Sequence, residues 1–199
     1  MLNPHWVFAG ALLGLIGSVR YAVAIPKGSV RPNLVTWCLW ALAPLIGFLA
    51  QLDSGVGLPA LMTLAAGTGP LIVIMTSLVA RRHYTHLGVV DVICAGIAGV
   101  ALAAWIGLDE APLAVFFAIA ADGVAALPTL VKAWRRPSSE SLFFYVLVGI
   151  GATITLFTIS NWAPQAWAFA VYQLSICVIF VAVISTRRHG RRFALSQPT

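Results

Sequence analysis

The sequence predicts an all-α integral membrane protein with seven transmembrane helices, arranged as two parallel three-helix-bundle repeats joined by a linker helix. The first observation is the composition: 60% of the 199 residues are hydrophobic, 9% are charged, and the mean hydropathy is +0.94. A water-soluble core of this size cannot hold so much apolar surface. The other two observations are seven long apolar runs and an internal repetition.

Each apolar run is long enough to cross a bilayer, which takes roughly 20 residues in a helix. The runs are continuously apolar and do not alternate, which indicates helices and not barrel strands. Asn33, with Thr36, is expected to cap the second helix, and Ser138, Ser139 or Ser141 the sixth. The predicted spans are 6 to 25, 33 to 51, 58 to 80, 88 to 107, 111 to 131, 141 to 160 and 163 to 185.

The basic residues fall in the loops on one side of these spans. Lys and Arg follow spans one, three, five and seven, whereas the opposite loops carry Asp53, Asp109 and Glu110 and no Lys or Arg. The positive-inside rule predicts a multi-pass protein of the cytoplasmic (plasma) membrane, with its N-terminus outside and its C-terminus in the cytoplasm. This topology accounts for the net charge of +6, and basic residues scattered over four loops disfavour nucleic-acid binding.

The sequence repeats itself at an offset of 105 residues. Lys27, Arg31, Pro32, Thr36, Trp40 and Pro59 correspond to Lys132, Arg136, Pro137, Ser141, Tyr145 and Pro164. The predicted organisation is a first three-helix repeat (1–83), a linker helix (84–110), a second three-helix repeat (111–189) and a basic cytoplasmic tail (190–199). Because each repeat has an odd number of helices, the single linker helix returns the second repeat to the orientation of the first.

The stretch "LPTLVKAWRRPSSESLFFY", Leu127 to Tyr145, resembles the helix end and basic, serine-rich turn of the PQ-loop and SWEET-type transporter superfamily. The arrangement of three helices, one linker and three helices resembles the same superfamily. The resemblance implies gating at Pro128 and at Thr129, which stands where the family has glutamine. In the first repeat Val23 and Ala24 hold the matching positions, and the nearest proline, Pro26, is the gating candidate.

Asp122 lies near the middle of span five, where an ionised carboxylate costs about 2.5 to 3.5 kcal/mol. Arg20 lies in the inner half of span one, the repeat mate of span five, so the two helices are expected to meet at the central axis. We expect Asp122 and Arg20 to pair there. The pair is either a protonatable or substrate-binding element of a pathway, or a structural salt bridge between the repeats.

A pocket for a polar solute needs hydrogen-bonding groups from the third helix of each repeat. The segment "GTGP", Gly67 to Pro70, is expected to narrow or break span three, and its mates in the second repeat are Tyr172 and Gln173. Broken apolar segments in matching halves indicate a transporter's binding site, so Thr68, Tyr172 and Gln173 are candidate substrate-binding residues. The alternative is close packing at the glycines, with one interhelical hydrogen bond from Gln173.

Trp37 and Trp40 are three residues apart near the inner end of span two, so they share one helix face. They are candidates for stacking on a planar solute. The alternative is that they belong to the aromatic belt at the membrane interface.

The expected function is transport of a small polar solute, of the sugar or amino-acid class, by alternating access. Asp122 would permit proton coupling. The alternative is a seven-helix ligand-binding receptor or sensor of the same fold. The sequence has no HExxH, GxSxG or paired-carboxylate spacing, so we expect neither an enzyme nor a metal or cofactor. The expected partners are the solute and membrane lipids, and the protein is expected to be a monomer or a homodimer.

Overall fold

The computed structural model describes residues 2–81, 89, 92, 93, 95–97, 99, 100, 107 and 111–195. Within these residues the chain forms helices and no strand, which confirms the predicted all-helical class. The predicted linker helix, 84–110, lies mostly outside the described residues. Six α-helices have bounds within the described residues: α1 (Trp6–Ala24), α2 (Leu34–Asp53), α3 (Ala60–Ala80), α4 (Ala111–Arg135), α5 (Leu142–Thr158) and α6 (Pro164–Leu195), with a short 3-10 helix over Pro137–Ser139.

Five of these helices, α1, α2, α3, α4 and α6, are long and apolar enough to cross a membrane. Helix α5 has 17 residues, which is about 26 Å of helix and slightly shorter than the roughly 30 Å hydrocarbon core. The observed bounds follow the predicted spans closely, with two exceptions. Helix α4 runs past its predicted end at 131 to Arg135, and α6 continues from 185 to Leu195 and so includes part of the predicted tail. The protein is therefore a multi-helix membrane protein.

Helix α1 illustrates how the bundle distributes its side chains. Its exposed residues are large and apolar, and its buried residues are mostly small. Lipid tails are as apolar as these exposed side chains, so nothing drives the large residues inward, and small residues let helix backbones approach each other. The exposed set is Phe8, Leu12, Ile16, Val19 and Val23, and the buried set includes Gly10, Gly14, Gly17, Ser18 and Ala22.

Two of the predicted caps begin the helices that follow the basic turns. The side chain of Asn33 accepts a hydrogen bond from the backbone N–H of Val35 at 3.1 Å, at the start of α2. The Ser141 hydroxyl accepts one from the N–H of Phe144 at 3.4 Å, at the start of α5. Such caps satisfy backbone donors that the first helical turn leaves unpaired. Thr36 is fully buried, and its hydroxyl accepts a hydrogen bond from the Thr129 hydroxyl at 2.9 Å.

The six helices pack as two groups of three. Helix α3 packs against α1 and α2, and helix α6 packs against α4 and α5. Between the groups, α1 packs against α5 and α2 packs against α4. The α1–α5 crossing is very close, because a Cβ added to Gly151 would lie 2.5 Å from the backbone oxygen of Gly10. Glycine at both positions permits this contact.

The turns that carry the basic residues meet at one end of the bundle, which we call the basic end. The N–H of Arg31, after α1, donates to the Ser139 carbonyl at 3.2 Å, and the Lys132 ammonium donates to the Arg31 carbonyl at 2.6 Å. At the opposite end, the Gln51 side chain donates from Nε2 to the Gln165 carbonyl at 2.9 Å. The two ends of the bundle therefore differ in charge.

Candidate functional site

A narrow cavity lies in the middle of the bundle, and all six described helices contribute to its wall. Its volume is about 30 Å³, which is room for one or two water molecules. We call it the central cavity. One lining residue from each helix, in chain order, is Ser18, Trp40, Met62, Asp122, Tyr145 and Gln173.

Asp122 is the charged residue of this cavity. Its side chain is buried, with 4% of the residue exposed, and its Oδ2 accepts a hydrogen bond from the Tyr172 hydroxyl at 2.5 Å. No described residue donates a hydrogen bond to its Oδ1. The Trp40 indole N–H donates to the backbone carbonyl of Asp122 at 3.2 Å, which ties α2 to α4 beside the carboxylate. Asp122 therefore lines the cavity with a carboxylate that accepts one hydrogen bond from the described residues.

The expected pair between Asp122 and Arg20 is wrong. Arg20 is exposed on the outer surface, with its guanidinium carbon 4.0 Å from the centre of the Phe143 ring. Helix α1 packs against α3 and α5 through the face that holds Gly14 and Ser18. Arg20 follows Ser18 by two residues, or about 200° around the helix, so it lies on the opposite face.

The two tryptophans of α2 are buried inside the bundle and do not lie in an interfacial belt. Trp37 is fully buried, with its ring centroid 4.6 Å from that of Tyr21 and 5.4 Å from that of Trp40. Trp40 lines the central cavity, whereas Trp37 packs behind it. The wall is extended by Tyr145 and Phe180, whose rings stack at 4.2 Å.

Of the other polar candidates, Gln173 and Tyr172 lie at the central cavity or at Asp122, and Thr68 does not. Gln173 lines the central cavity, and Tyr172 holds the carboxylate of Asp122. Thr68 does not line the cavity, and its hydroxyl donates to the Leu64 carbonyl of its own helix at 2.9 Å. Helix α3 runs unbroken through this region, and Gly67 instead lets α3 approach Leu45 of α2.

The gating candidates lie near the basic end. Pro128 lies inside α4, which continues past it to Arg135 without a break. Thr129 is fully buried, and its hydroxyl donates to the Thr36 hydroxyl at 2.9 Å, which links α4 to α2. Pro26 lies in the exposed turn after α1. The two prolines therefore occupy different structural settings, one within a helix and one beyond a helix end.

A second buried carboxylate, Glu140, was missed at the sequence level. It is 1% exposed, and its Oε1 lies 2.5 Å from the Lys132 ammonium. Its Oε2 accepts hydrogen bonds from the hydroxyls of Tyr21 and Tyr145, each at 3.1 Å. Its backbone carbonyl accepts one from Arg188 Nη2 at 2.7 Å. We call these five residues the basic-end network. Glu140 is the single acidic residue in a basic turn, and this feature of the sequence could have indicated an ion pair there.

The end opposite the network has a larger cavity. It has a volume of about 250 Å³ and lies between the α2–α3 turn and the α5–α6 turn. Ser54, Pro59, Thr158, Asn161 and Gln165 are among its lining residues, so its wall carries hydroxyl and amide groups. One end of the bundle is thus closed by buried ionic contacts, and the other end holds a polar cavity.

No protein family, curated protein or solved structure matches the chain.

Proposed function

We propose that this protein is a membrane transporter that moves a small polar solute by alternating access. The observation that carries the proposal is the carboxylate of Asp122, which lines a cavity built by all six described helices. Ionisable side chains inside a membrane mark solute or ion pathways, because their cost is otherwise selected against. A transporter site near the middle of the bundle is the arrangement that this placement supports.

The surroundings of Asp122 argue against a purely structural role. A cationic partner compensates a structural carboxylate in a membrane, as Lys132 does for Glu140. Among the described residues, no Lys, Arg or His lines the central cavity. The bundle therefore bears the cost of this carboxylate with a single hydroxyl donor from Tyr172, which favours a functional role.

The helix contacts support the two-repeat arrangement on which alternating access would act. Within the groups, the α1–α3 contact corresponds to α4–α6 and the α2–α3 contact to α5–α6. Between the groups, the α1–α5 contact corresponds to α4–α2. Helices α2 and α5 end at Asp53 and Thr158, which are 105 residues apart. Rocking of two such bundles about a shared site is a recognised transport mechanism.

The two ends of the bundle fit one state of that cycle. The basic-end network closes the basic end, and the larger polar cavity lies at the other end. By the positive-inside rule the basic end is cytoplasmic, so this state is closed towards the cytoplasm. The proposal agrees with the resemblance of Leu127 to Tyr145 to PQ-loop and SWEET-type transporters, and it does not depend on that resemblance.

Uptake by purified protein in liposomes tests the proposal. We expect saturable uptake of a labelled sugar or amino acid from a panel, measured with and without a pH gradient, and its loss in Asp122→Asn. Asp53→Asn is the matched control, because Asp53 is exposed at the end of α2. Equal uptake by Asp122→Asn and wild type would remove Asp122 from the mechanism. Solute binding without uptake would favour a receptor or sensor.

A further inference from the structure

We infer that the central cavity binds the primary ammonium group of a small organic cation. That this cation is transported rests on the proposed function. That it binds in the central cavity rests on the cavity alone. Three properties of the cavity carry it: the sign of its charge, the aromatic rings in its wall and its size.

The charge of the cavity favours a cation. Asp122 lines it, and no described residue donates a hydrogen bond to the Oδ1 of this carboxylate. No Lys, Arg or His of the described chain lines the same cavity, so the negative charge has no counterpart there. A bound cation would supply that counterpart, whereas an anionic solute would be repelled.

The remaining acceptors suit an ammonium group with three N–H donors. The Ser18 hydroxyl donates to the Gly14 carbonyl at 3.0 Å, which leaves its oxygen lone pairs available to accept. Gln173 of α6 also lines the cavity, and its side-chain amide includes an oxygen that can accept a hydrogen bond. Together with Asp122, these residues place acceptors from three different helices around one small cavity.

The aromatic wall points to the same class of ligand. Trp40, Phe144, Tyr145 and Phe180 all line the cavity. The centroid of the Trp40 ring lies 6.0 Å from that of Phe180, at an interplanar angle of 81°, so the two rings form a corner. Aromatic faces attract cations, and desolvated sites strengthen the attraction.

The size of the cavity restricts the ligand further. A volume of about 30 Å³ holds one or two waters, so it accommodates an ammonium head group and not a hexose ring. The rest of a larger solute would need the bundle to open. The head group is therefore the part that this closed state recognises.

The test is binding of radiolabelled methylammonium to purified wild-type protein in nanodiscs. We expect saturable binding that unlabelled methylammonium displaces and that methanol, its neutral isostere, and acetate do not displace. Asp122→Asn and Trp40→Leu should each weaken binding at least about tenfold, because one removes a charge-assisted contact and the other an aromatic face. Asp53→Asn should bind like wild type.

Two outcomes would overturn the inference: displacement by methanol as effective as by methylammonium, or equal binding by wild type and Asp122→Asn. The methanol comparison uses wild-type protein and therefore holds even where a variant fails to fold. Uptake of the same probe into liposomes separates the two proposals. Methylammonium binding without uptake would support the ammonium site and contradict the transport function. Asp122-dependent uptake of a neutral solute without methylammonium binding would support the transport function and contradict the ammonium site.

Discussion

Among the described residues two carboxylates, Glu140 and Asp122, lie buried in the bundle, and their surroundings are opposite. Glu140 faces the Lys132 ammonium and two tyrosine hydroxyls, so its charge is compensated by the protein. Asp122 accepts one hydrogen bond, from the Tyr172 hydroxyl, and lines the central cavity, where no described cation faces it. A carboxylate that is compensated within the fold holds helices together, whereas one without a cation is available to a ligand. On this difference we base the proposal of a structural role for Glu140 and a functional role for Asp122.

Removing the partner of Glu140 should have the largest effect. Lys132→Met leaves a buried carboxylate unpaired, and we expect the free energy of unfolding to fall by about 3–5 kcal/mol. Denaturant unfolding in detergent measures the change. Lys27→Met is the control, because Lys27 is the exposed counterpart of Lys132 at the same end of the bundle. Equal stability of the two variants would show that the pair does not hold Glu140.

Neutralising Asp122 should have the opposite effect on stability. Asp122→Asn removes a charge that no described cation compensates, and we expect the free energy of unfolding to rise by about 1–3 kcal/mol while uptake is lost. Glu140→Gln makes the same chemical change in the basic-end network, and it should lower stability. The comparison between the carboxylates fails if both variants lose stability to the same extent.

Removing one tyrosine hydroxyl that donates to each carboxylate should have a smaller effect on stability. Tyr21→Phe and Tyr172→Phe each delete a hydrogen bond to a charged group, and each should cost about 1–2 kcal/mol of stability. Only Tyr172→Phe should change the apparent affinity for the solute, because only Tyr172 holds Asp122. Binding titrations on both variants measure this. A matching affinity change in Tyr21→Phe would place the solute site at the basic end.

Replacing Arg20 should have the smallest effect. Arg20→Gln changes an exposed side chain that lies over Phe143, so stability should stay within about 0.5 kcal/mol of wild type and uptake should be unchanged. The same unfolding and liposome assays apply. Loss of uptake in this variant would restore Arg20 as the partner of Asp122.

The helices were predictable because their signal is local. Apolar runs of bilayer length set the predicted spans within a few residues of α1, α2, α3 and α5, and the caps at Asn33 and Ser141 follow from short-range hydrogen bonding. The end of α6 was placed too early, at 185, because the run of arginines after it ends the apolar signal but does not end the helix. The length of an apolar run predicts the part of a helix that lies in the membrane, whereas the full length of the helix also depends on the polar residues that follow the run.

The candidate site was predictable only in part. A carboxylate in the middle of an apolar span singles out Asp122 without any knowledge of its neighbours. The partner was placed wrongly, because the choice between Arg20 and Tyr172 depends on which face of each helix turns inward. Glu140 was missed for a related reason: it lies in a basic turn, and only the meeting of that turn with Tyr21 and Lys132 buries it.

The sequence by itself determined that this protein is a bundle of membrane helices, where most of those helices begin and end, and that one of them carries a costly charge. These properties depend on composition and spacing along a single helix. Only the tertiary structure decided which buried charge is compensated and which faces a cavity. The physical reason is that large residues gain nothing from turning inward in lipid, so close contacts between small residues, such as Gly10 with Gly151, set the rotation of each helix.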